Sequence, residues 1–170
     1  MLKHISAMLF CAAVSGCVEH PEATVPEPEP TIVKIDVKEV FCLAKNIYFE
    51  ARSEPVQGLV AVAQVTINRV NSDKFPNTVC GVIYEARTLH GVPIKHKCQF
   101  SWYCDGKPDI INYNSPAWDK SLRIAELVIT DDHPNIVGDS LYYHADYVSP
   151  GWARTKKLTT KIGRHLFYHE

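Results

Sequence analysis

Apolar residues recur at three-to-four-residue spacing from Lys38 to about Ser53, at Val40, Leu43, Ala44, Ile47 and Ala51. That is the period of a helix with one buried face. Asp36 stands where an N-cap would be and Glu39 follows three residues later, a capping-box pattern. Pro55 disfavours helical geometry at Glu54 and closes the segment. From Val56 to Val70 the chain is apolar almost all round. Fifteen residues is long for one strand, so this segment reads as a buried helix carrying Gln64 and Asn68 as a polar i,i+4 pair. Asn71-Ser72-Asp73 and Pro76-Asn77 punctuate a loop, and Thr78 to Ala86 reads as a short helix. Thr88 to Pro116 is a long irregular stretch rich in Gly, Pro, Asn and aromatics, of the kind that carries function in compact domains. Ser115 as N-cap and Pro116 at the first position start a helix running to Thr130, with Trp118, Leu122, Ala125 and Ile129 on one face. Asp131 to Asn135 breaks it, and Leu141–His144 and Leu166–Tyr168 read as short strands. The pattern predicts one α+β domain over residues 37–170, mainly helical, with a small C-terminal β element.

The front of the chain follows a different pattern. Lys3 and the apolar stretch Ile5 to Val14 have signal-peptide proportions, giving a predicted signal over residues 1–16. Val14-Ser15-Gly16-Cys17 resembles a bacterial lipobox, in which Cys17 would be lipidated, and stable anchoring takes more than one acyl chain. Residues 17–36 then supply a Pro/Glu-rich tether, extended and self-repelling. Val18 after the cysteine, rather than aspartate, favours an envelope location on the outer membrane facing the periplasm.

Composition narrows the class. The 170 residues suit one domain, and 46% hydrophobic against 22% charged excludes wholesale disorder. The net charge is −1, without the basic excess of nucleic-acid binders. From Val37 onward there are 16 basic against 14 acidic residues, so most of the imbalance lies in the tether. Four cysteines remain beyond Cys11 and Cys17, and an even number in an exported domain implies disulfides. Of the three connectivities, Cys98 with Cys104 is the local bridge and Cys42 with Cys80 the long-range staple. No C-x-x-C or H-E-x-x-H motif indicates a metal site, and no cofactor motif is present.

The chemistry points to Glu50. On a helical wheel it falls at the edge of the Val40–Ala44–Ile47–Ala51 stripe, in the last turn, flanked by Tyr48 and Phe49. Partial desolvation there raises a carboxyl pKa, as does the negative end of the helix dipole, and a raised pKa is what a general acid needs near neutral pH. Glu54 lies four residues on and reads as structural; Asp105 and Asp109 are weaker candidates for a second carboxylate.

The stretch Leu43-Ala-Lys-Asn-Ile-Tyr-Phe-Glu-Ala-Arg through Val70 resembles the opening motif of the SleB/CwlJ family of bacterial cell-wall hydrolases. Lys74–Tyr84, Cys98-Gln-Phe-Ser-Trp102, Leu141-Tyr-Tyr-His144 and Thr159–Phe167 match its later blocks in order. The resemblance implies a lysozyme-like, lytic-transglycosylase-like fold acting on peptidoglycan glycan strands, with Glu50 as the single acid/base. Ordinary glycosidases pair two carboxyl groups, whereas a lytic transglycosylase manages with one.

Gln99, Phe100, Ser101 and Trp102 form a candidate substrate wall, since sugars stack on aromatic faces and amides bond N-acetyl groups. Tyr142, Tyr143 and His144 are further binding candidates; strand alternation would let only one side of that set face a groove. Two alternatives stay open. A zinc amidase would have to gather three of the scattered His90, His96, His133, His144, His165 and His169, and this family has also carried an amidase label. A non-catalytic wall-tethering lipoprotein would need only the groove and the anchor.

Overall fold

The computed structural model describes residues 36–170; the predicted signal, Cys17 and most of the tether lie outside the described residues. Helix α1 spans Val37–Ala51 and α2 spans Val56–Val70. Asp36 caps α1 by accepting from the Lys38 N–H. The capping box does not close. Instead the Glu39 carboxylate reaches across to the backbone N–H groups of Val79 and Cys80, at the start of α3 (Val79–Ile83). A carboxylate satisfies orphan donors at a neighbouring helix start as well as at its own. The disulfide Cys42–Cys80 joins the same two helices.

Two cores explain why α2 has no polar side. One face packs with α1, α3 and α4 (Pro116–Ile129) around Leu43, Ile47, Leu59, Val62 and Ile83. The other puts Ala61 and Val65 against Val137 and Phe167. Gln64 and Asn68 are not paired with each other. Gln64 bonds the Pro134 carbonyl and the Ile136 N–H, and Asn68 bonds the carbonyls of Gly138 and Ser140. The two amides thus button the segment after α4 to the helix.

The long irregular stretch is more regular than its composition suggested. It contains the hairpin β1 (Ala86–Leu89) and β2 (Val92–Cys98), turning at His90-Gly91, both with positive φ. Its residues are largely exposed, so no apolar alternation announced it. A short 3-10 turn, Ser101–Cys104, follows and is tied back by Cys98–Cys104. The C-terminal sheet has three antiparallel strands, not two: β3 (Tyr142–Ala145), β4 (Lys157–Ile162) and β5 (His165–His169), in order β3-β5-β4. Strand β4 (Lys-Leu-Thr-Thr-Lys-Ile) is mostly exposed and polar, which hid it. At the β4–β5 turn Gly163 has φ 58, and a side chain there would meet the Glu54 carboxylate, so glycine is required twice over. The fold class is α+β and mainly helical, as the sequence predicted. Among the described residues no helix is long and apolar enough to cross a membrane.

Candidate active site

A cavity of about 600 Å³ opens where the end of α1 meets the 3-10 turn, the segment after it, and strand β3. Tyr48, Phe49 and Glu50 line it from the helix; Ser101, Trp102 and Asp109 form one side, and Tyr143, His144 and His165 the other. Glu50 sits where the wheel placed it, partly buried at the edge of the apolar face. Burial raises its carboxyl pKa above the ordinary glutamate range; the Tyr143 hydrogen bond and the Arg69 charge oppose that shift without cancelling it.

Tyr143 donates its hydroxyl to Glu50 Oε2 at 3.0 Å. Burial, then the neighbouring Glu50 carboxylate, push the phenol pKa well above the tyrosine range, so the group stays a donor. With Oε2 engaged, the other carboxyl oxygen is the one left to carry a proton. His165 packs edge-on against the Tyr143 ring at 5.3 Å. Burial lowers its pKa below the ordinary histidine value, so it adds no positive charge at neutral pH.

The opposite wall is packed through Trp102 and pinned by a few discrete polar contacts. Trp102 stacks on Phe49 at 4.8 Å and donates its indole N–H to the buried Asn46 side chain at 2.9 Å. Lys45 lies over the Trp102 ring at 5.0 Å and approaches Asp109 at 3.9 Å. Asp109 has its carboxyl pKa raised by burial, partly offset by Lys45.

The candidate residues separate on this geometry. Glu50, Ser101, Trp102, Tyr143 and His144 line the cavity. Gln99 does not: its amide donates to Glu85 at 2.9 Å on the exposed outer side. Phe100 is buried in the main core, with the Arg69 guanidinium over its ring at 5.1 Å. Tyr142 points the other way, its hydroxyl donating to Glu170 and its ring beneath the Lys156 ammonium. Strand alternation holds for the rings, since His144 and Tyr142 both pack on Trp152, at 5.6 and 5.7 Å, while Tyr143 packs on His165 and Phe167; His144 nevertheless also contributes to the cavity lining. Strand β3 is a four-residue edge strand, and the cavity lining continues along it to Ala145 and on to Val148. His144 is itself held by donation from Nδ1 to the Ala145 carbonyl and by Nε2 against the Tyr168 hydroxyl at 3.0 Å.

Glu54 lies beyond the end of α1 and so does not share the helix face with Glu50. It accepts the Arg164 N–H at 2.8 Å, clamping the β4–β5 turn. Among the described residues no three His, Cys, Asp or Glu side chains are grouped to hold a metal ion. Sequence reasoning missed Asn46, Arg69 and His165. For Arg69 the signal was present: a lone charge within Val-Thr-Ile-Asn-Arg-Val, inside an apolar helix.

Comparison with known proteins agrees with the fold. The catalytic domain of the germination-specific lytic transglycosylase SleB from Bacillus anthracis is 32% identical, with a TM-score of 0.59, covering 80% of this chain and 98% of that one. The catalytic domain of the Bacillus cereus SleB protein gives 32% and 0.58, covering 79% and 91%. A curated spore cortex-lytic enzyme of Oceanobacillus iheyensis is 35% identical over 130 residues, 74% of this chain and 39% of the relative. That of Bacillus subtilis strain 168 is 32% identical over 125 residues, 74% and 35%. The chain thus spans well under half the length of these curated relatives. The Cell Wall Hydrolase family model matches residues 53–168, and the chain belongs to that family.

Proposed function

We propose that this protein degrades peptidoglycan by cleaving the bond between N-acetylmuramic acid and N-acetylglucosamine, and that it does so as a lytic transglycosylase with Glu50 as its single acid/base. The observation that carries the reading is the Glu50 carboxyl: its pKa raised by burial, hydrogen-bonded by Tyr143, in the wall of a cavity large enough for sugar units. The family assignment and the likeness to SleB catalytic domains support it.

Each step balances on that one group. The Glu50 carboxyl gives its proton to the glycosidic oxygen as the bond from the muramyl C1 to that oxygen breaks, and the released sugar leaves as an alcohol. The muramyl 6-hydroxyl then forms a new bond to C1 and returns its proton to the Glu50 carboxylate, closing a 1,6-anhydro ring. No water is consumed and Glu50 ends as it began. Ser101, Trp102 and His144 would bound the sugars on either side; Tyr143 serves the carboxyl rather than the sugar.

The test is the product. Digestion of purified peptidoglycan should yield anhydromuramyl ends by mass spectrometry, absent with Glu50→Gln. Ordinary reducing ends would indicate hydrolysis instead, and unaltered activity in the variant would remove Glu50 from the reaction. The same proposal places the protein in the envelope on a Cys17 lipid anchor; Cys17→Ser should shift it from the membrane to the soluble fraction, and an unchanged distribution would refute the anchor.

A further inference from the structure

Arg69 is 5% exposed and carries a guanidinium into the protein interior. Among the described residues no carboxylate lies within salt-bridge distance of it, and its Nη1 is buried without a hydrogen-bond partner. Two aromatic rings hold it, Phe75 at 5.3 Å and Phe100 at 5.1 Å. Its Nε donates to the Leu141 carbonyl at 2.8 Å. Leu141 leads directly into β3, whose second residue is Tyr143, the donor to Glu50. Guanidinium, strand, phenol and carboxyl therefore form one connected line from α2 to the cavity.

A buried charge without a close counter-ion is expensive, and such a group persists when its field or its hydrogen bonds are needed. Two acids share the field of this one: Glu50, and Glu85 beyond α3. Only Glu50 faces the cavity. Resting on the reading of Glu50 as the acid/base, we propose that Arg69 is a positioning residue for that reaction: it fixes the strand that aims the Tyr143 hydroxyl at the carboxyl, and supplies the positive charge that stabilises the carboxyl once its proton has gone to the leaving oxygen. A group that must be acid in one step and base in the next needs both forms within reach. Burial favours the protonated form; Arg69 and the Tyr143 hydrogen bond favour the ionised one. Besides Glu50 and Tyr143, the charged or titratable groups lining the cavity are Arg52 and Lys107, Asp105 and Asp109, His144 and His165, and the phenols of Tyr48 and Tyr147. The two cations and two carboxylates offset one another, which leaves Arg69 as the charge acting from behind.

The experiment measures the pH dependence of kcat/KM on purified peptidoglycan for the full chain, Arg69→Gln and Arg69→Lys, with melting curves to confirm folding. Activity falls as pH rises and Glu50 loses its proton. Without the positive charge that loss comes later, so the alkaline limb of Arg69→Gln should move up by about one pH unit while the optimal rate falls about tenfold. Arg69→Lys keeps the charge and should hold the limb in place. A titration of the Glu50 carboxyl carbon by NMR should move with the limb, independently of turnover. A folded Arg69→Gln with an unmoved limb, or a folded Arg69→Lys whose limb climbs as far, overturns the proposal. Glu50→Gln measured alongside separates the two failures: if it is inactive while the Arg69 limbs stay put, only the Arg69 role falls, whereas full activity in Glu50→Gln removes the reading beneath it.

Discussion

The helical side of the cavity and the side formed by residues 101–110 are held by different means. Tyr48, Phe49 and Glu50 come from the last turn of a helix whose buried stripe packs among Leu43, Ile47 and Leu59. The facing segment puts only Trp102 and Cys104 into buried positions and otherwise relies on the Cys98–Cys104 bridge, the Asn46 hydrogen bond and the Lys45 contacts. One side fixes the Glu50 carboxyl by packing. The other is held by a few discrete contacts, each removable on its own. On the proposed function, this would keep the acid still while the wall adjusts to its substrate.

That contrast can be broken in order of effect. Glu50→Gln should lower the cleavage rate about a thousandfold with little change in melting temperature, because the helix packs through other residues; release of labelled peptidoglycan checks it. Replacing Cys42 and Cys80 by serine removes the staple of the helical side. Its 38-residue separation predicts a loss of about 4 kcal/mol of unfolding free energy in denaturant titration, with the remaining activity per folded molecule preserved. The Cys98→Ser/Cys104→Ser pair, with a separation of 6, should lose only about 2 kcal/mol, yet its KM should rise as the wall loosens. Equal effects of the two pairs on KM would erase the distinction between the sides. Smallest of all, Glu54→Ala frees the Arg164 N–H at the β4–β5 turn and should reduce stability by about 1 kcal/mol while leaving kcat alone.

Where burial is periodic, the helices could be read directly. The predicted bounds of α2 coincide with the observed helix, and Ser115 and Pro116 start α4 as expected. The exposed hairpin at His90-Gly91 and strand β4 escaped notice because their side chains face water on most positions, so no alternation marks them. Within the site, Glu50 was legible because helical spacing fixes which face a residue takes. Tyr143 was noticed, but as a sugar contact; its hydrogen bond spans 93 positions and has no local signal. Gln99 and Phe100 share the chemistry of a sugar wall with Ser101 and Trp102, and only the turn of the chain between the two cysteines decides which pair faces in.

The reach of Glu39 across to α3 bears on how four thiols find their partners as the chain folds. Because that carboxylate grips the amides of Val79 and Cys80 without help from sulfur, Cys80 is brought beside Cys42 by ordinary folding. Oxidation then seals a neighbourhood already chosen, and the mispaired isomers compete against a partner that is waiting in place. A glutamate outside the cavity thereby holds together the two helices that carry a covalent bond it never touches.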